Sequence, residues 1–83
     1  MESSEVRIKR RGDDAEFRSE LVQNWDPGYV ADITLVDGTV VAAVLIGISN
    51  SALILDRWDS DSRSPADDPF TLDLMAVAEV VVP

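Results

Sequence analysis

Residues 29–58 read YVADITLVDGTVVAAVLIGISNSALILDRW, and the fold is decided there. Two apolar runs meet at Asp37-Gly38, the dipeptide favoured by a two-residue type I′ hairpin, whose central residues both need positive φ; Gly38 adopts it freely and Asp37 tolerates it. In the first run Tyr29, Ala31, Ile33 and Leu35 fall on one face and Val30, Asp32, Thr34 and Val36 on the other, the alternation of a strand with one buried face. In the second, Val40 to Ile46 is continuously apolar, so both faces are expected to be covered, as in a long strand that bends and joins two small sheets. Gly47 stands where a bulge or kink assists that bend. Ser49-Asn50-Ser51 supplies a tight corner. Ala52 to Trp58 follows as a third strand with Leu53 and Leu55 on one face.

Downstream, Asp59 to Pro69 reads DSDSRSPADDP, whose sole apolar residue is Ala66, and is expected to be a loop. Phe70, Leu72 and Leu74 alternate with Thr71 and Asp73 as a fourth strand. Met75 to Ala78 suits a single 3₁₀ turn, and Glu79 to Val82 a fifth, terminal strand. Upstream, Asp13 is a helix N-cap with Glu16 three residues on to complete a capping box. Phe17, Leu21 and Trp25 then share one helical face. Asp26 precedes Pro27 and is pushed out of the α region, so the helix ends at Asn24 or Trp25, and Pro27-Gly28 suits a type II turn. The helix is expected to cap one open end of the sheet. For Trp25, a place in the core competes with a role in stacking on a ligand.

Eighty-three residues make one domain, and a chain of this size buries only about 60 to 65% of its unfolded surface. We divide it into a flexible basic arm, residues 1–12, and a single domain, residues 13–83. Residues 1–11 carry four basic and two acidic side chains, net +2, whereas the remaining three basic residues face fourteen acidic ones, net −11. A body of that charge repels phosphate backbones within a Debye length and attracts basic protein surfaces, although acidity also serves plain solubility. The absence of cysteine removes disulfides and thiolate metal sites, leaves oligomerisation as the common stabilising device for so small a domain, and fits a cytoplasmic location. No leader-like segment and no run long enough to span a membrane is visible, so the reading is a soluble, unprocessed chain.

The element order, with its lengths, resembles the small five-stranded barrels of the SH3-like and Sm-like class. The run from Ile33 to Leu55 is similar to the first Sm motif: apolar alternation, Asp37-Gly38, a long bent strand, a turn, then a Leu-x-Leu strand at Leu53 and Leu55. Ala43 stands where that family tends to have Gly after the hairpin, Ser49 and Asn50 or Ala52 where it has Asp and Asn, and LDLMAVAEV holds no counterpart of the second motif's apolar-Arg-Gly triplet. Those positions bind RNA bases in the family. The resemblance therefore implies a fold, mainly β with an N-terminal helix followed by a five-stranded barrel, and not a ligand. Acidic members of the class that bind other proteins suit this charge.

Catalysis is not expected. With no His and no Cys there is neither an imidazole base nor a thiolate nucleophile, and no loop cradles a phosphate. The carboxylates at Asp59, Asp61, Asp67 and Asp68 fall in the loop, where solvation keeps them ordinary acids. Asp59-Ser60-Asp61-Ser62 begins like a calcium loop, but Arg63, Ser64 and Phe70 stand where the third ligand, the turn glycine and the bidentate Glu belong. No cofactor and no metal are expected.

Apolar residues remain in excess: Val36, Val40, Val41, Ile46, Ile54, Trp58, Met75 and Val80 to Val82 cannot all point into one small core. Self-association or strand addition through the fourth and fifth strands is therefore expected, as in Sm-like rings. Arg57, Trp58, Val80, Val81 and Val82 are the candidate partner-binding residues, since Trp and Arg dominate desolvated interfaces. The opposing reading has Trp58 in the core and Arg57 paired with an Asp. The functional expectation is a non-catalytic protein-interaction module, a homo-oligomer with an acidic surface for a basic protein partner. The alternative is an Sm-like RNA-binding protein that uses Arg7, Lys9, Arg10 and Arg11.

Overall fold

A computed structural model describes residues 5–83, which form β1 (Val6–Lys9), α1 (Asp14–Asn24), β2 (Val30–Leu35), β3 (Val40–Ile48), β4 (Ala52–Asp59), β5 (Ser64–Asp73), a 3₁₀ turn (Leu74–Ala76) and β6 (Val77–Val82). The six strands make one antiparallel sheet in the order β1-β6-β2-β3-β4-β5. The molecule is mainly β, with one helix, as the sequence implied, but the expected five-stranded barrel is corrected: the sheet has six strands and is not closed, since no hydrogen-bonded ladder joins β1 to β5.

The helix forms where its caps place it. The Asp13 carboxylate accepts the Glu16 N–H at 2.9 Å, and Trp25, extended at φ −136°, ends the helix with its N–H donating to the Leu21 carbonyl. Pro27-Gly28 turns the chain with Gly28 at φ +95° and the Tyr29 N–H donating to the Asp26 carbonyl at 3.3 Å. Phe17, Leu21 and Trp25 are buried against the sheet. The indole Nε1–H donates to the Tyr29 carbonyl at 2.9 Å, which settles Trp25 as a core residue whose polar atom is satisfied.

The Asp37-Gly38 hairpin forms at the expected place by a different turn. Asp37 does not take positive φ; Gly38 alone does, at +94°. The Gly38 N–H donates to the Leu35 carbonyl at 2.9 Å and the Leu35 N–H to the Thr39 carbonyl at 2.8 Å, so the loop holds Val36, Asp37 and Gly38, a turn followed by a left-handed glycine. Asp37 contributes through its side chain, accepting the Thr39 N–H at 2.9 Å. On β3 the register slips between Leu45 and Gly47, leaving Ile46 as the extra residue of a bulge, at the bend expected beside Gly47.

Two segments differ from the sequence reading. Val6–Lys9, assigned to the arm, pair with β6 from Val6 opposite Val82 to Lys9 opposite Glu79, and Ile8 is buried beside Val80. Most of the expected Asp59–Pro69 loop is strand: the chain reverses at Ser60–Arg63 and returns as β5, Trp58 opposite Pro65 and Leu55 opposite Phe70. β5 is an edge strand, where Pro65 and Pro69 are tolerated. Arg63 and Asp67 take positive φ, 55° and 60°, at the turn and near the β4–β5 register shift.

One cluster forms the core: Ile8, the three helix residues, Ala31, Ile33, Ala43, Leu45, Leu53, Leu55, Leu74, Val77, Val80 and Val82, with Val6, Phe70 and Leu72 packed against its margin. Side chains from both end strands reach this cluster, so the sheet curls around it while α1 closes the mouth. Arg10 fastens the closure. Its guanidinium pairs with Asp14, donates to the Leu74 and Val77 carbonyls, and lies 4.8 Å over the Phe17 ring.

Candidate functional site

Strand alternation divides the sheet into two faces. Cross-strand pairs Ile8–Val80, Val80–Ile33, Leu45–Leu55 and Leu53–Leu72 belong to the core face. The other face, turned away from the core cluster, carries the pairs Arg7–Val81, Val81–Asp32, Asp32–Ala42, Thr34–Val40, Val30–Val44, Val44–Asp56 and Ile54–Thr71. Val44 is buried without belonging to the core cluster. Around it Val40 is 61%, Ile46 48% and Ile54 36% exposed, while Val30, Ala42 and Val81 are half-buried. Val40 and Ile46 lie on one strand, about 20 Å apart at strand rise. The sheet thus presents an apolar strip on the side where no helix covers it. The unbroken apolar run of β3 has its core-side residues covered and its outer ends bare.

Carboxylates interrupt this strip: Asp32 on β2, Asp56 on β4 and Glu79 on β6. Asp56 accepts the Asp68 N–H at 2.8 Å and thereby holds the irregular part of β5. Glu79 takes the Arg7 guanidinium at 2.7 Å, and Arg7 also reaches Glu5 at 3.3 Å. The Glu79 carboxylate raises the Arg7 pKa, first through the hydrogen bond and then through its charge.

A concavity lies between α1 and β3. It is a cleft of ≈ 390 Å³ lined by Val22, Trp25, Pro27, Leu45, Gly47 and Ile48, with Arg18 and Asp26 among its polar walls. Arg18 Nε donates to the Ser49 carbonyl at 2.8 Å, which fixes the guanidinium at the β3–β4 corner.

The candidate partner residues separate in the structure. Arg57 is exposed, bonds Asp68 at 3.4 Å and lies 5.1 Å from the Phe70 ring centroid; Trp58 is half-buried. Val80 and Val82 are buried in the core and Val81 is half-buried on the outer face. The terminal strand is not a free edge as expected, because β1 covers it on one side and β2 on the other. Of the expected pair of edges, the strand holding Phe70 and Leu72 is one, and β1 takes the place of the other. The basic arm is also rearranged: Arg7 is held by Glu79 and Arg10 by Asp14, whereas Lys9 and Arg11 are exposed with no ion-pair partner among the described residues. Sequence reasoning missed the structural work of Arg10 and Arg18, each of which also donates to backbone carbonyls that no pattern of residue types announces.

Around Asp59 and Asp61 the carboxylate serves the turn, Asp59 Oδ1 accepting the Asp61 N–H at 3.0 Å. Among the described residues no three acidic, His or Cys side chains converge as a metal site would require, and no helix is long and apolar enough to cross a membrane. No family model matches the chain, and neither a curated protein nor a solved structure matches it.

Proposed function

We propose that the protein is a non-catalytic interaction module whose outer sheet face docks a basic protein partner. One observation carries this reading: Val40, Ile46 and Ile54 are exposed on the same face as the half-buried Val30, Ala42 and Val81, interspersed with Asp32, Asp56 and Glu79. Exposed apolar patches bounded by polar groups mark interaction sites, and the acidic excess of the body selects for positive charge in what docks there. Trp58, on β4 beside Asp56, adds the aromatic group that contact surfaces favour.

The test is a titration of the full chain with a Lys/Leu-alternating peptide, followed by tryptophan fluorescence at several salt concentrations. Binding is expected, with affinity falling as salt rises and lost when Val40 and Ile54 are both changed to Ser. Trp25 is buried in the core, so Trp58 is the indole that reports the contact. Single-stranded RNA titrated in the same way should bind weakly or not at all. Tight RNA binding at physiological salt, abolished by changing the exposed Lys9 and Arg11 to Gln, overturns the reading in favour of a nucleic-acid binder.

A further inference from the structure

The end strands of the open sheet are chemically matched to each other. On β1, Val6 and Ile8 face the core and Arg7 and Lys9 face outward; on the regular part of β5, Phe70 and Leu72 face the core and Thr71 and Asp73 face outward. Each edge is therefore apolar on the inner side, and on the outer side β1 is positive where β5 is negative. Ile8 is buried, but the other inner residues of the two edges are only partly covered: Val6, Phe70 and Leu72 sit at the core margin, half-buried. Among the described residues no strand pairs with the far side of β1 or of β5, so each presents unpaired backbone N–H and C=O groups. The Ser64–Pro69 half of β5 is a poor template, with Pro65, Pro69, a residue at positive φ and the β4–β5 register shift. Phe70–Asp73 is free of these and is four residues long, the length of β1.

We infer that the Phe70–Asp73 edge of one copy adds to the Val6–Lys9 edge of a second copy, head to tail, continuing the antiparallel sheet between chains. The six strands alternate in direction from β1 to β5, so a second copy joined in the same sense continues that alternation. Facing rules limit the register to like-facing pairs, and charge selects among these the one that sets Arg7 against Asp73. Ile8 meets Leu72 on the inner side and Arg7 meets Asp73 on the outer side, which places Lys9 across from Thr71. The pairing buries the apolar margins of both copies and brings Arg7 and Lys9 against the acidic body of the neighbour. Because the two edges differ, the contact is heterologous, and repetition gives a ring or a filament according to the angle between successive copies. The inference is independent of what docks on the outer face, which lies on the strands between these edges.

The chain has no cysteine, so introduced thiols report the contact without ambiguity. Directly opposed residues in an antiparallel pair have Cα atoms about 4.5–5.5 Å apart, within reach of a disulfide. Lys9→Cys and Thr71→Cys proteins, each otherwise intact, are mixed and oxidised. The expected product is the mixed disulfide dimer in excess over either homodimer, and the unmodified chain is expected to sediment as a concentration-dependent series extending beyond dimer. Thr71→Lys sets two cations against each other and should weaken association up to about fivefold per contact; the Lys9→Glu/Thr71→Lys double variant should restore it. A fold defect in the single variant would not be repaired by the second change, so the rescue separates contact from misfolding. A chain that stays monomeric at high micromolar concentration, a mixture giving no preferred mixed dimer, or a double variant no better than Thr71→Lys overturns the inference.

Discussion

Gly38 holds the hairpin at φ +94°, a conformation that costs a residue with a Cβ about 1–3 kcal/mol. Open space surrounds the position, so the whole penalty of Gly38→Ala is expected from the backbone, read as a lowered urea midpoint with an unchanged slope. Its neighbour gives a pH signature. The Thr39 N–H, bonded to the Asp37 carboxylate, lowers that group's pKa below its ordinary value. A carboxyl whose pKa is lower folded than unfolded contributes stability above the unfolded value and loses it as pH falls through the folded one. Acid titration of stability should therefore include a component that Asp37→Asn flattens, since the amide oxygen still accepts the Thr39 N–H but no longer titrates.

Among the elements, β1 is the one whose membership in the fold is easiest to check. Ile8 is 3% exposed, and Ile8→Ala is expected to cost about 2–4 kcal/mol in chemical denaturation; a loss below about 0.5 kcal/mol, typical of surface sites, would return residues 6–9 to a loose arm. Its signal in the sequence was Val6 and Ile8 alternating with Arg7 and Lys9, present but only four residues long and swamped by charge. The helix was legible in full because each boundary has a local chemical cause: the Asp13 cap, the Phe17, Leu21, Trp25 face, and Pro27. The hairpin was legible in place but not in type, since Asp37 serves either turn and the choice depends on hydrogen bonds to Leu35 and Thr39. The first half of β5 was illegible for a physical reason. SPADDP opposes strand propensity, and it extends only because β4 pairs with it and its other side needs no partner.

For the protein as a body, the alternation of apolar residues established that a sheet wraps a single core, and it could not establish closure. Closure depends on whether one last pair of strands meets, which no residue type encodes. The candidate surfaces followed from that geometry: the excess of apolar residues was visible in sequence, while its division into a bare outer face and two partly covered edges required the register. Val80 and Val82 illustrate the shift, being core residues of a strand enclosed by β1 and β2. The pairing of end strands stands on the sheet being open, and amide hydrogen exchange on dilute protein reads this directly. An open sheet predicts that alternate amides within Val6–Lys9 and Phe70–Asp73 exchange quickly, well ahead of those in β6, β2 and β3. Full protection of both end strands, undiminished on further dilution, would mean that the chain closes on itself and would contradict it.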